Sequence, residues 1–150
     1  MILFWGQVFL TFRKIFNIKW FKGEKFQKNG FLFKGWVDYR LIADIIVLIC
    51  LRIVIYNTYM DLWLPIIIYA CIIGLRLAVF HPRKNELLII AILPYAWLFE
   101  GLMVSFGLYL YINPIFLGLP GWLYLWWIFL VPFLLKEVFD RFEYLLDFHL

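Results

Sequence analysis

The chain has 150 residues, 66% of them hydrophobic and only 16% charged, with 14 Lys and Arg against 10 Asp and Glu. Soluble domains carry about 45–50% apolar and about 25% charged residues, so a mean hydropathy of +0.90 excludes that class and makes lipid the solvent for most of the surface. Ser and Thr are limited to Thr11, Thr58 and Ser105, which removes most of the usual aliphatic hydroxyl nucleophiles and interhelical hydrogen bonds.

In chain order, Met1 to Phe12 is almost wholly apolar but, at about 1.5 Å per residue, too short for a core about 30 Å thick. Arg13 and Lys14 follow the apolar run, the reverse of a secretory signal peptide. Residues 1–21 are expected to form an interfacial helix anchored by Trp5, Phe9, Phe12, Phe16, Trp20 and Phe21. The alternative is a fifth span that buries Arg13 and Lys14.

Residues 22–40 read as a basic loop. Together with Lys19 it carries Lys22, Lys25, Lys28, Lys34 and Arg40 against Glu24 and Asp38, punctuated by Gly23, Gly30 and Gly35. Lys19, Lys22, Lys25 and Lys28, with Trp20 and Trp36, suit anionic lipid headgroups at the membrane surface. Basic residues interleaved with aromatics also suit RNA, but beside a membrane the headgroup is the stronger claimant, and no nucleic-acid partner is expected.

Spans are expected over about 41–59, 62–80, 87–112 and 121–137. The turns between them are Asn57 to Asp61, the polar His81 to Glu86, and the uncharged Asn113 to Pro120 with its two prolines. Residues 138–150 recur as Val138, Phe142, Leu145 and Leu146 on one face, with Asp140, Arg141, Glu143 and Asp147 on the other. Such a tail should lie along the interface or against a partner. The expected fold is thus an all-α integral membrane protein, a four-helix transmembrane bundle with an interfacial N-terminal helix and an amphipathic C-terminal helix. Counting Lys and Arg in short loops puts both termini on the cytoplasmic-equivalent side of a cell or organellar inner membrane.

Six ionisable residues fall within or beside the spans: Asp44, Arg52, Arg76, Glu100, Lys136 and Glu137. Each costs about 2.5–3.5 kcal/mol by insertion scales when left alone in lipid. Depth by residue count pairs Arg52 with Glu100 near the midplane, and places Asp44, Arg76, Lys136 and Glu137 together near the basic boundary, where Asp44 and Arg76, equal in depth and opposite in charge, are expected to approach one another. The deeper pair is either a register-fixing ion pair or a proton, ion or substrate site. Pro94 and Pro132 should free the carbonyls of Ile90 and Ile128 and kink their helices beside Glu100. Trp122, Trp126 and Trp127 are expected as an exterior aromatic belt running into the bundle. Cys50 and Cys71 read as small buried hydrophobes. His81 and His149 have no companions at metal spacing, so neither a metal site nor a cofactor is expected.

The run Glu100 to Pro114, with Gly107, Tyr109 and Tyr111, then Gly118, Pro120, Trp122 and Trp126-Trp127, resembles a pattern in small prokaryotic membrane proteins. An intramembrane acid there precedes a glycine-tyrosine segment and a proline-tryptophan turn. It is similar to part of the membrane carotenoid hydratase and cyclase group and to uncharacterised families, over about the last third of the chain. The resemblance implies that Glu100 is an acid protonating a polyene. The additional helices and second acidic motif of those enzymes are missing from this sequence.

Two functions follow as expectations. The first is a non-catalytic small subunit or partner-binding component of a membrane assembly, its partners being the bilayer and other membrane subunits or further copies of itself. The alternative is a small enzyme or carrier for a lipid or isoprenoid, acting through Glu100 and Arg52.

Overall fold

A computed structural model describes residues 10–11, 14–16 and 37–147, with side chains as far as Phe142. The elements are α1 (Tyr39–Thr58), α2 (Leu64–Val79), α3 (Lys84–Ser105), α4 (Gly121–Phe129), a π-helical segment (Leu130–Leu135) and α5 (Lys136–Asp147). No strand occurs among the described residues. Three stretches are long and apolar enough to cross a membrane: Tyr39–Thr58, Lys84–Ser105 and the continuous Gly121–Phe142. That fits a multi-pass membrane protein. The expected span 62–80 is the short one, since α2 has 16 residues and covers about 24 Å.

Local chemistry sets the helix ends. Asp38 caps α1 by accepting from the Leu41 N–H at 2.8 Å. Pro65 opens α2 in its first turn. Glu86 reaches back to the Arg83 N–H at 2.7 Å at the start of α3. The third span was expected to reach Ile112 but ends at Ser105. Gly107, at φ +72°, donates to the Val104 carbonyl at 2.9 Å, and Leu108 donates to Met103 at 3.1 Å. This pair of bonds is the Schellman stop, which needs a left-handed residue at the position Gly107 fills.

The chain then returns over residues 106–120 as a loop pressed on α3. Gly118 has φ +74°, and a Cβ there would stand 2.7 Å from Val104 Cγ1. Two L-residues, Asn113 and Leu117, also take positive φ in this loop. Asn113 ties it to the α1–α2 turn by donating to the Met60 carbonyl at 2.7 Å.

The helix from α4 through the π segment is the central one. Leu123, Trp127 and Val131 pack with Ile89, Leu93 and Leu119 on its α3 side. Phe129, Phe133 and Leu134 pack with Leu41, Leu51, Ile55, Tyr69 and Ile73 on the side of α1 and α2. Pro132 lies in the π segment, where the missing proline N–H coincides with the wider turn.

Trp127 is buried in the core, and Trp122 and Trp126 are partly buried against it, because a helix surrounded by others turns its rings inward. The exposed rings at that end are Tyr56, Tyr59, Trp63, Phe106 and Phe116. The C-terminal segment continues the central helix, and of its two faces the described side chains place Arg141 in the interior and leave Phe142 58% exposed.

Of the N-terminal interfacial helix, Phe16 is described and is a core residue, edge-on to Phe139 at 5.5 Å between ring centroids. Most of residues 1–21, and the basic-loop residues Lys19, Trp20, Lys22, Lys25, Lys28 and Trp36, lie outside the described residues.

Candidate functional site

Two polar regions occupy opposite ends of the bundle. At the end where α3 begins, Asp44 and Arg76 form a two-point ion pair, Nε to Oδ1 at 2.7 Å and Nη2 to Oδ2 at 3.0 Å. Both residues are buried. The guanidinium lies over the Phe133 ring, 4.3 Å from its centroid, and donates to the Phe80 carbonyl at 3.2 Å. This pairing is the one expected from depth and sign.

Around it lies a larger network that sequence reasoning missed. Arg40 grips both oxygens of Glu86 at 2.7 Å. Glu137 has Arg83 at 3.0 Å, Arg40 Nε at 3.5 Å and a contact with Arg141, while Arg141 also reaches Asp38 at 2.9 Å. Lys136, buried, bonds Asp140 and stands 5.8 Å from the Phe16 ring centre. Lys136 and Glu137, expected as structural charges, therefore act as such with other partners. Asp38, Asp44, Glu86, Glu137 and Asp140 meet Arg40, Arg76, Arg83, Lys136 and Arg141, so the set carries no net charge. The missed members were visible as charges: Lys136 with Asp140 and Glu137 with Arg141 are i, i+4 pairs, the spacing that puts side chains side by side on a helix.

At the other end, Glu100 is 8% exposed and its Oε1 accepts from two phenols, Tyr109 at 2.8 Å and Tyr111 at 2.7 Å. Both tyrosines reach it because α3 stops at Ser105 and the loop doubles back. Their hydroxyls are pushed well above the ordinary phenol range, first by burial and then by donating to Glu100 beside its charge. Tyr111 is edge-on to Trp122 at 6.3 Å, and Trp122 edge-on to Tyr69 at 6.2 Å. No Lys, Arg or His forms an ion pair with Glu100 among the described residues.

The expected contact between Arg52 and Glu100 is corrected. Arg52 is exposed on α1, with the Tyr56 hydroxyl at 3.4 Å and its guanidinium carbon 5.2 Å from the Tyr56 ring centre. Its charge is felt at Tyr69, and the row Tyr69, Trp122 and Tyr111 then stands between it and Glu100. Helix α1 packs on α2 and the π segment, whereas α3 packs on α4 and the π segment, so the central helix separates the two residues.

Neither end holds a group of three His, Cys, Asp or Glu side chains suited to a metal ion among the described residues. Comparison of the chain with protein-family models, curated proteins and solved structures returned no match.

Proposed function

We propose that this chain is a non-catalytic multi-pass membrane component that binds a partner through the outward side of α1. The observation that supports this is Arg52. It lies in an apolar helix, on a face where Ile45, Ile46, Ile49 and Ile53 are also exposed, and it makes no ion pair among the described residues. A lone guanidinium inside a span costs about 2.5–3.5 kcal/mol by insertion scales, and an acidic side chain on a neighbouring helix removes that cost. The neutral network at the opposite end holds the bundle as a unit, so the α1 face can be presented as a fixed surface. Lys and Arg of the basic loop and of the His81 to Glu86 turn support a reading in which that end is on the cytoplasmic-equivalent side of an inner membrane, next to anionic headgroups.

A photo-crosslinking residue at position 49 or 53 should give a protein adduct in the membrane, lost with Arg52→Glu while thermal stability in detergent is kept. Adducts to lipid alone would sink the reading.

A second reading, a lipid or isoprenoid enzyme or carrier, draws support from Glu100 Oε2, which accepts no hydrogen bond from the described residues. It predicts a hydrophobic molecule copurifying with the protein and lost on Glu100→Gln. Arg52 has no part in that version, because it does not reach Glu100.

A further inference from the structure

We infer that the partner is a second copy of the chain, with Arg52 of one protomer meeting Glu100 of the next. The inference rests on the partner-binding reading above and identifies its occupant. Glu100 is an exception among the buried carboxylates: Asp44 holds Arg76, Glu86 holds Arg40, and Glu137 holds Arg83 and Arg141. Among the described residues Glu100 has only neutral phenols. Both donate to one oxygen, an arrangement that suits an acceptor-only carboxylate, and a buried carboxylate is costly unless it is paired with a cation. Arg52 is the complementary exception, a guanidinium with no acid among the described residues.

The two also match in level. Arg52 lies about 20 Å along α1 from Tyr39, and Glu100 about 24 Å along α3 from Lys84. The remaining offset is covered by the arginine side chain, which extends over the Tyr56 ring, one turn nearer that end of the bundle. Within one molecule the central helix keeps them apart. Between two molecules that helix no longer intervenes, because α1 and α3 flank it, and the incoming guanidinium has only the return loop carrying Tyr109 and Tyr111 to pass before it reaches the Glu100 carboxylate. A contact from the α1 flank of one copy to the α3 flank of the next is head-to-tail, the arrangement that closes into a ring when the rotation allows. Asp61, the exposed acid of the α1–α2 turn, lies beyond the end of α1 and is a poorer match in level.

The test is co-expression of two differently tagged full-length chains, purified in mild detergent and measured by native mass spectrometry. Wild-type chains should copurify as an oligomer. Arg52→Glu alone sets acid against acid and Glu100→Arg alone sets base against base, so each should weaken association at least tenfold. The two variants expressed together restore opposite charges at every contact and should reassemble in alternation. Glu100→Gln and Arg52→Gln, gentler changes, should each weaken association as well, which covers failure of Glu100→Arg to fold. A monomeric wild type, or an oligomer indifferent to all these changes, overturns the inference. If the wild type is monomeric but position 49 still crosslinks to another protein in an Arg52-dependent way, partner binding stands and self-association falls. If neither is seen, both fall.

Discussion

Asp44 on α1 and Arg76 on α2, 32 positions apart in sequence, meet through two parallel hydrogen bonds beneath the Phe133 ring. The pair links two neighbouring helices to the central one at a single buried point. A buried pair broken on one side typically loses about 3–5 kcal/mol, because the remaining charge stays desolvated, whereas replacing both partners by apolar residues is often near neutral. Asp44→Asn should therefore destabilise the protein by about that amount, and Asp44→Leu with Arg76→Met by much less. Denaturation in detergent of the single and double variants measures the difference, and equal losses would contradict it.

Glu137 concentrates the surrounding network, with Arg40, Arg83 and Arg141 all at its carboxylate. Glu137→Gln should cost about 3–5 kcal/mol, more than Asp140→Asn, since Asp140 is the more exposed carboxylate and contacts Lys136 alone among the described bases. Thermal unfolding of the two variants side by side gives the ranking.

Tyr109 and Tyr111 predict how the far end responds to alkali. Burial, followed by donation to Glu100, raises both phenols above their ordinary 10.0. The folded state thus keeps protons that the unfolded chain releases, so this contribution to stability is complete below pH 10.0 and is lost as pH rises through the folded values. Stability should fall above that point, with two tyrosinates absent from the near-ultraviolet spectrum until unfolding. Tyr109→Phe with Tyr111→Phe should flatten the fall.

The contact between the return loop and α3 should tolerate little at two glycines, Gly118 in the loop and Gly101 on the helix. Gly118 combines a left-handed backbone with a Cβ position 2.7 Å from Val104, and a Cβ on Gly101 would sit 2.9 Å from Leu117 Cβ and 3.1 Å from its carbonyl oxygen. Gly118→Ala should cost about 1–3 kcal/mol, combining left-handed strain with overpacking. Gly74→Ala, where a Cβ meets nothing within 4 Å, is the matched control. Equal stability of the two variants would refute the close packing of loop and helix.

The depth count succeeded for Asp44 and Arg76 and failed for Arg52 and Glu100 for one physical reason. Distance along a helix sets the level of a residue, but its direction around the axis depends on which helices are neighbours, and composition does not carry that. Adjacent antiparallel α1 and α2 face each other, so level was enough. Helices α1 and α3 have α4 between them. The end of α3 was hidden because residues 106–112 remain apolar, although Gly107 and the alternation of exposed Leu108, Leu110 and Ile112 with less exposed Tyr109 and Tyr111 mark an extended segment. In the tail the two faces were legible but not which of them turns inward: Arg141 is buried and Phe142 exposed, because Glu137 and Asp38 meet Arg141 in the interior.

The π segment couples the halves of the last helix. A π turn accommodates one residue more than the α-helical repeat would, and each residue rotates a helix by about 100°. Leu130–Leu135 thereby lets the aromatic stripe of α4 and the charged stripe of α5 point to the same interior from one continuous rod. The wide turn also sets how the rod answers to a change in chain length: deleting one residue between Leu130 and Leu135 lets the segment close into an ordinary α-helix with Lys136, Glu137 and Arg141 still facing inward, whereas deleting a second leaves no wide turn to absorb it and swings all three by about 100° toward lipid.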